Sequence, residues 1–187
     1  LRFIAPWIWE SFDFSEYDLV ISSSGWFSSK GIITQPPTKH ISYVHHPPNY
    51  LYGYQTAVEW QKYWPVRIYA LIVNHFLRIW DFKAAQRPDI LLANSEETRR
   101  RLQKFYRRDA IVVYPAVKIP KTVVEFIEPD ERYYITVSRL AFKKHVHVMI
   151  KAANKYGFNL KVIGSGRDEK ALRELAGPTV KVLGFVP

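Results

Sequence analysis

Two segments of the 187-residue chain concentrate side chains able to do chemistry. The first, "SYVHHPPNYLYGY" (42–54), places His45 and His46 side by side ahead of Pro47 and Pro48, among four tyrosines and no charge. An imidazole at the end of an apolar run can hydrogen-bond a substrate or move a proton near neutral pH. Consecutive residues of an extended segment point to opposite sides, so only one of the pair can enter a given cleft. No acidic cluster at metal-ligand spacing accompanies them. The second segment, "VSRLAFKKH" (137–145), sets Arg139 at the end of an apolar run and Lys143 and Lys144 just beyond it. A guanidinium fork and an ammonium so placed can clamp a diphosphate; the plainer reading is a solvated basic loop.

Three weaker signals accompany these. "VIGSGRDE" offers Gly164 and Gly166, but Glu169 stands where a dinucleotide fingerprint would have its third glycine. Such a turn either packs strand against helix or receives a phosphate where helix amides converge. His145 and His147 of "HVH" sit two apart, so on a helix they point to different faces and read as surface residues. "SSKGIIT" lacks the glycine that opens a P-loop, and no GxSxG elbow is present.

The elements that must carry these residues read as alternating strands and helices. "YDLVISSS", "KHISYVHH", "DILLANS" and "AIVVYPAV" are short apolar runs cut by Gly, Pro or Ser, as buried parallel strands are. Between the second and third, Tyr69, Ile72, Val73, Phe76 and Trp80 fall on one face of a helix that Pro88 would stop. That helix is too interrupted by polar residues to span a bilayer, but a partly buried or membrane-resting one fits. Ser95 is placed to cap a helix "EETRRRLQKFYRR" with Glu96 and Glu97 in its first turn. Its arginines read as a solvated face. Residues 118–131 shift to Pro, Lys, Thr and Glu and read as a linker. Beyond it "YYITVSRL", "NLKVIGSG" and "TVKVLGFV" read as strands, with "HVHVMIKAANKYG" and "DEKALRELAG" as the helices between. The pattern predicts α/β architecture with parallel sheets.

Composition bounds the rest. Hydrophobic residues make up 48% of the chain, enough for a substantial core. There are no cysteines, which excludes disulfides, Cys-ligated zinc and thiol nucleophiles and fits a reducing compartment. A net charge of +10 fits either a soluble surface with surplus Lys and Arg or an anionic partner: a phosphate-bearing ligand, an acidic membrane surface or nucleic acid. No nucleic-acid motif supports the last. The opening "LRFIAPWIWESFDF" does not read as a signal peptide.

In order, "YDLVISSS", "HISYVHHPPNYLY", "WDFKAAQRPDILLANSEETRRRLQKFYRRDAIVVYPAV", "YYITVSRLAFKKHVHVMIKAA" and "LKVIGSGRDEKALRELAGPTVKVLGFV" resemble the retaining GT-B glycosyltransferases of family 4. The likeness is greatest to mannosyltransferases of polysaccharide or lipopolysaccharide assembly. It implies parts of two Rossmann-like domains with an active site in the cleft between them. Residues 1–117 would be the latter part of the N-terminal, acceptor-side domain, and 132–187 the first part of the C-terminal domain that holds the nucleotide-sugar donor. By the same resemblance His45 is the active-site histidine, His46 takes a position where the family usually has threonine, and Arg139 and Lys144 grip the donor diphosphate. Gly164 and Gly166 match the glycine turn near the nucleotide. The implied reaction moves a sugar, mannose from GDP-mannose in the nearest branch, to a glycan or lipid-linked acceptor, with no metal. The implied setting is cytoplasmic, peripheral at the inner face of an anionic membrane. The chain is expected to be a fragment, inactive alone, of an enzyme. Two other readings stand beside this one: a non-catalytic nucleotide- or phosphate-binding α/β module, and a basic nucleic-acid-binding protein.

Overall fold

Every pairing between strands is parallel, and helices supply most of the crossovers that parallel neighbours require. The computed structural model describes residues 2–54, 56, 63–119 and 132–186. Within these the chain divides into two α/β units, Leu1–Lys118 and Ile119–Pro187, each with a Rossmann-like parallel sheet. Residues 120–131 of the expected linker lie outside the described residues.

Unit 1 opens with a short helix α1 (Ala5–Glu10), which the sequence reading did not anticipate. Four strands follow, β1 (Leu19–Ser24), β2 (Lys39–Val44), β3 (Ile90–Ala93) and β4 (Ile111–Val112), hydrogen-bonded in that order. Helices α2 (Trp64–Ala84) and α3 (Glu96–Tyr106) make the second and third crossovers. The first, residues 25–38, contains only a 3-10 turn at Ser29–Gly31. Ser95 caps α3 as its position predicts, its hydroxyl accepting from the Thr98 amide at 3.2 Å. The run "AIVVYPAV" contributes only two strand residues, because β4 has a single neighbour and Pro115 lacks an amide for further pairing. The core gathers Val44, Leu91, Ala93, Leu102 and Tyr106 between sheet and helices.

The sequence left the inward side of α2 open. Its buried positions are Leu77, Asp81 and Ala84, whereas Tyr69, Ile72 and Phe76 of the apolar face noted in the sequence are exposed. Apolar residues surround this helix, so periodicity alone leaves its inward side undetermined. A buried carboxylate settles it. Asp81 Oδ1 accepts from Lys30 Nζ at 2.5 Å and Ser28 Oγ at 2.7 Å, and Oδ2 from Tyr52 at 2.8 Å and Tyr106 at 2.7 Å. Lys30, the lysine of "SSKGIIT", is thus spent inside the protein. Burial pushes its ammonium pKa down and Asp81 opposes the shift, while both tyrosine hydroxyls are pushed up.

Unit 2 holds β5 (Tyr134–Val137), α4 (Val146–Tyr156), β6 (Leu160–Ile163), α5 (Glu169–Leu175) and β7 (Val180–Gly184), with sheet order β5-β6-β7. Leu140, Val146, Ile150, Val162 and Leu172 form its core.

Candidate functional site

In open parallel sheets ligands settle beyond the carboxyl ends of the strands, and the candidate residues of both units lie there. In unit 1, β2 ends at Val44 and hands the chain to His45 and His46. The His45 amide donates to the Ser24 carbonyl at 2.8 Å, and its carbonyl accepts from Thr98 Oγ1 at 3.0 Å. Backbone bonds on both sides therefore fix where the imidazole starts. The ring is exposed, packs edge-on against Tyr43 and places Nε2 2.8 Å from Ser23 Oγ. Ser23 pairs with Tyr43 across the parallel ladder, and alternation puts Ser23, Tyr43 and His45 on one side of the sheet. The serine was missed in the sequence; its only signal was the polar "SSS" closing the neighbouring strand. With Nε2 engaged, Nδ1 is the ring nitrogen left for a ligand. His46 behaves differently: it is half-buried, and its Nδ1–H donates to the Pro47 carbonyl at 2.9 Å.

A second imidazole lies deeper in the same sheet. Ser22 Oγ donates to Ser42 Oγ at 2.9 Å, so His40 Nε2–H donates to Ser22 at 2.8 Å, leaving a bare, buried Nδ1. Burial holds the His40 pKa down to about 4, against a smaller upward pull from Asp89. Unfolded, it titrates near 6.5. Between these values the unfolded chain binds a proton that the folded chain refuses, so stability falls as pH drops through this window. Urea denaturation at pH 7, 6 and 5 should show a loss approaching ~1.4 kcal/mol per pH unit. His40→Gln should flatten it; an unchanged slope in the variant would refute the assignment.

In unit 2, β5 ends one residue before Ser138, followed by Arg139. Arg139, Lys143 and Lys144 are exposed and have no acidic partner among the described residues. Ser138 Oγ is buried without a partner, a state that costs free energy unless something fills it. Lys144 closes a 3-10 turn, Phe142–Lys144, that leads into α4.

The glycines have a packing role on the same crest. A Cβ on Gly164 would lie 1.9 Å from the Ser138 carbonyl oxygen, and one on Gly166 2.2 Å from that of Leu140. Leu140 N–H donates to the Ser165 carbonyl at 2.9 Å, and Asp168 N–H to the Leu140 carbonyl at 3.2 Å. The glycine turn therefore locks directly onto the Arg139 loop. At the start of α5 the Asp168 amide donates to the Leu140 carbonyl and the Glu169 amide to that of Gly166, so these two are taken up within the fold.

The remaining signals resolve locally. His145 precedes α4 at φ 54°, off the helix, and its ring centroid lies 5.8 Å from that of His147. The expected divergence of the two rings fails because His145 is not helical. No group of three metal-ligating side chains occurs among the described residues. In and after α3, Arg99 pairs with Asp109 at 2.8 Å, Arg101 with Glu97 at 2.9 Å, and Arg108 donates to the Pro88 carbonyl at 2.7 Å. Much of that basic run is thereby engaged within the fold.

Neither a scan against protein-family models nor a search of the curated proteins finds a match for this chain.

Proposed function

We propose that the protein is part of a retaining glycosyltransferase acting on a nucleotide-sugar donor, with mannose as the transferred sugar and a glycan or lipid-linked molecule as acceptor. The observation that carries the reading is the crest of unit 2. There Arg139 and Lys144, exposed and without an acidic partner among the described residues, stand on a loop that the Gly164–Gly166 turn holds in place. Two exposed cations on a fixed backbone suit a diphosphate.

In this reading the bond from the anomeric carbon to the phosphate oxygen breaks, and its electron pair leaves with the nucleoside diphosphate. Arg139 and Lys144 stabilise the negative charge that develops. The acceptor hydroxyl oxygen forms the new bond on the same face, and its proton passes to the departing phosphate oxygen. His45, steadied by Ser23, hydrogen-bonds the sugar through its ring.

Titration calorimetry of this chain with GDP, UDP and ADP tests the diphosphate site. Arg139→Ala and Lys144→Ala should each weaken the preferred nucleotide about tenfold or more, the scale of a charge-assisted hydrogen bond. Binding that ignores both substitutions would sink the assignment. Transfer is assayed with the parent protein that the resemblance implies. His45→Ala should lower turnover roughly a hundredfold while leaving diphosphate affinity unchanged; undiminished turnover would favour a module that binds nucleotide without transferring anything.

A further inference from the structure

We infer that the outward side of α2 seats the protein on an anionic lipid bilayer. Trp64, Ile68, Leu71, Ile79 and Phe82 recur with the helical period on the side opposite buried Leu77, Asp81 and Ala84. All five are exposed, Leu71 at 75% and Trp64 at 70%. The stripe continues around the helix through Ile72, Tyr69 and Phe76 to a groove of about 480 Å³ shared with α1, where Trp7 is 66% exposed. Apolar area of this extent on a helix already docked by its other side calls for a covering partner.

Charge selects the partner. The only acid of α2 is Asp81, which is buried and bonded to four donors. Every exposed charge on the helix is therefore cationic: Arg67 and Arg78 along one border of the stripe and Lys83 along the other. Arg67 and Arg78 have no acidic partner among the described residues. Together with Tyr50, Tyr54, Leu71 and Asn74 they line a recess of about 330 Å³. Its two guanidinium groups fit a lipid phosphate, with acyl chains passing onto Leu71 and the stripe. A second copy of the chain laid on this face by a two-fold would bring cation against cation, whereas a bilayer of acidic lipids neutralises them and covers the apolar side chains at once. No helix among the described residues is long and apolar enough to cross a membrane, so α2 lies in the interfacial plane. The inference stands independently of the sugar-transfer reading.

Sedimentation of the chain with phosphatidylglycerol and with phosphatidylcholine vesicles is the test. Binding is expected to the first alone, with tryptophan emission shifting to the blue. Leu71→Gln with Ile72→Gln, both at exposed positions, should lower the partition coefficient about tenfold or more, as should Arg67→Glu with Arg78→Glu. Circular dichroism checks that each variant keeps its fold; a pair that unfolds is replaced by Ile68→Gln with Ile79→Gln. Three results would each overturn the proposal. One is no binding to phosphatidylglycerol, and another is equal binding to both lipids. The third is undiminished binding by the folded Gln variants, which would mean that diffuse positive charge suffices. A wild-type dimer that the Gln variants convert to monomer, without loss of vesicle binding, would assign the stripe to a second copy instead.

Discussion

Asp81→Asn should cost the folded state about 3–5 kcal/mol, the scale set by removing one partner of a buried ion pair. The substitution keeps the shape and removes the charge. Lys30 would be left with its ammonium 1% exposed and no counter-ion, and Ser28, Tyr52 and Tyr106 would share a weaker acceptor. All six tryptophans fall within residues 1–118, so equilibrium urea unfolding followed by their emission reads unit 1 directly. The midpoint should move sharply to lower denaturant. Lys30→Met added to Asp81→Asn should return a large part of the loss, because the stranded charge is then gone. A loss below about 1 kcal/mol for the single variant, or no recovery in the double, would refute the account.

The second large effect is expected in unit 2, from Gly164→Ala. The residue sits at φ 133°, a backbone region that side chains rarely enter, and its Cβ would meet a carbonyl oxygen at 1.9 Å. Unlike a side-chain tip, that oxygen cannot turn aside. Strain at such a φ alone is worth roughly 1–3 kcal/mol, and the two loops must also part. Hydrogen exchange should therefore accelerate at the Ser138 and Leu140 amides, which bond to the Ile163 and Ser165 carbonyls across the junction. Nucleoside diphosphate affinity should fall with it, since Arg139 rides on the same loop. Unaltered exchange at these two amides would show that the turn yields more easily than the geometry allows.

Several features were legible in the sequence for physical reasons that the structure repeats. Apolar runs broken by Gly, Pro or Ser became parallel strands, and Ser95 became a cap, because both signals are local. The Arg139 loop was legible too, since a cation just past a strand end has few other places to go. What escaped depended on distant partners. Ser23 and His45 are brought together by strand pairing, which pattern alone does not reveal. Asp81 looks unremarkable in "RIWDFK", yet its partners come from residues 28, 30, 52 and 106. The inward side of α2 was not legible for the same reason. Where both sides of a helix are apolar, the decision passes to a polar contact that periodicity does not register. The crossover at 25–38 was likewise opaque, being fixed by side chains of α1 and of the turn that follows α2: Arg87 donates to the Gly31 carbonyl, and Trp9 to that of Phe27 at 2.6 Å.

The Asp81 junction also constrains how this sequence can drift. Its donors arrive from separate segments, and losing either member of the charged pair first is severe. Positions 30 and 81 therefore have few harmless single steps, though a joint exchange for two well-packed apolar residues is open to them. Descendants of a common ancestor should carry lysine with aspartate or neither. The hydroxyls of Ser28, Tyr52 and Tyr106 should be freer to vary once the pair has gone.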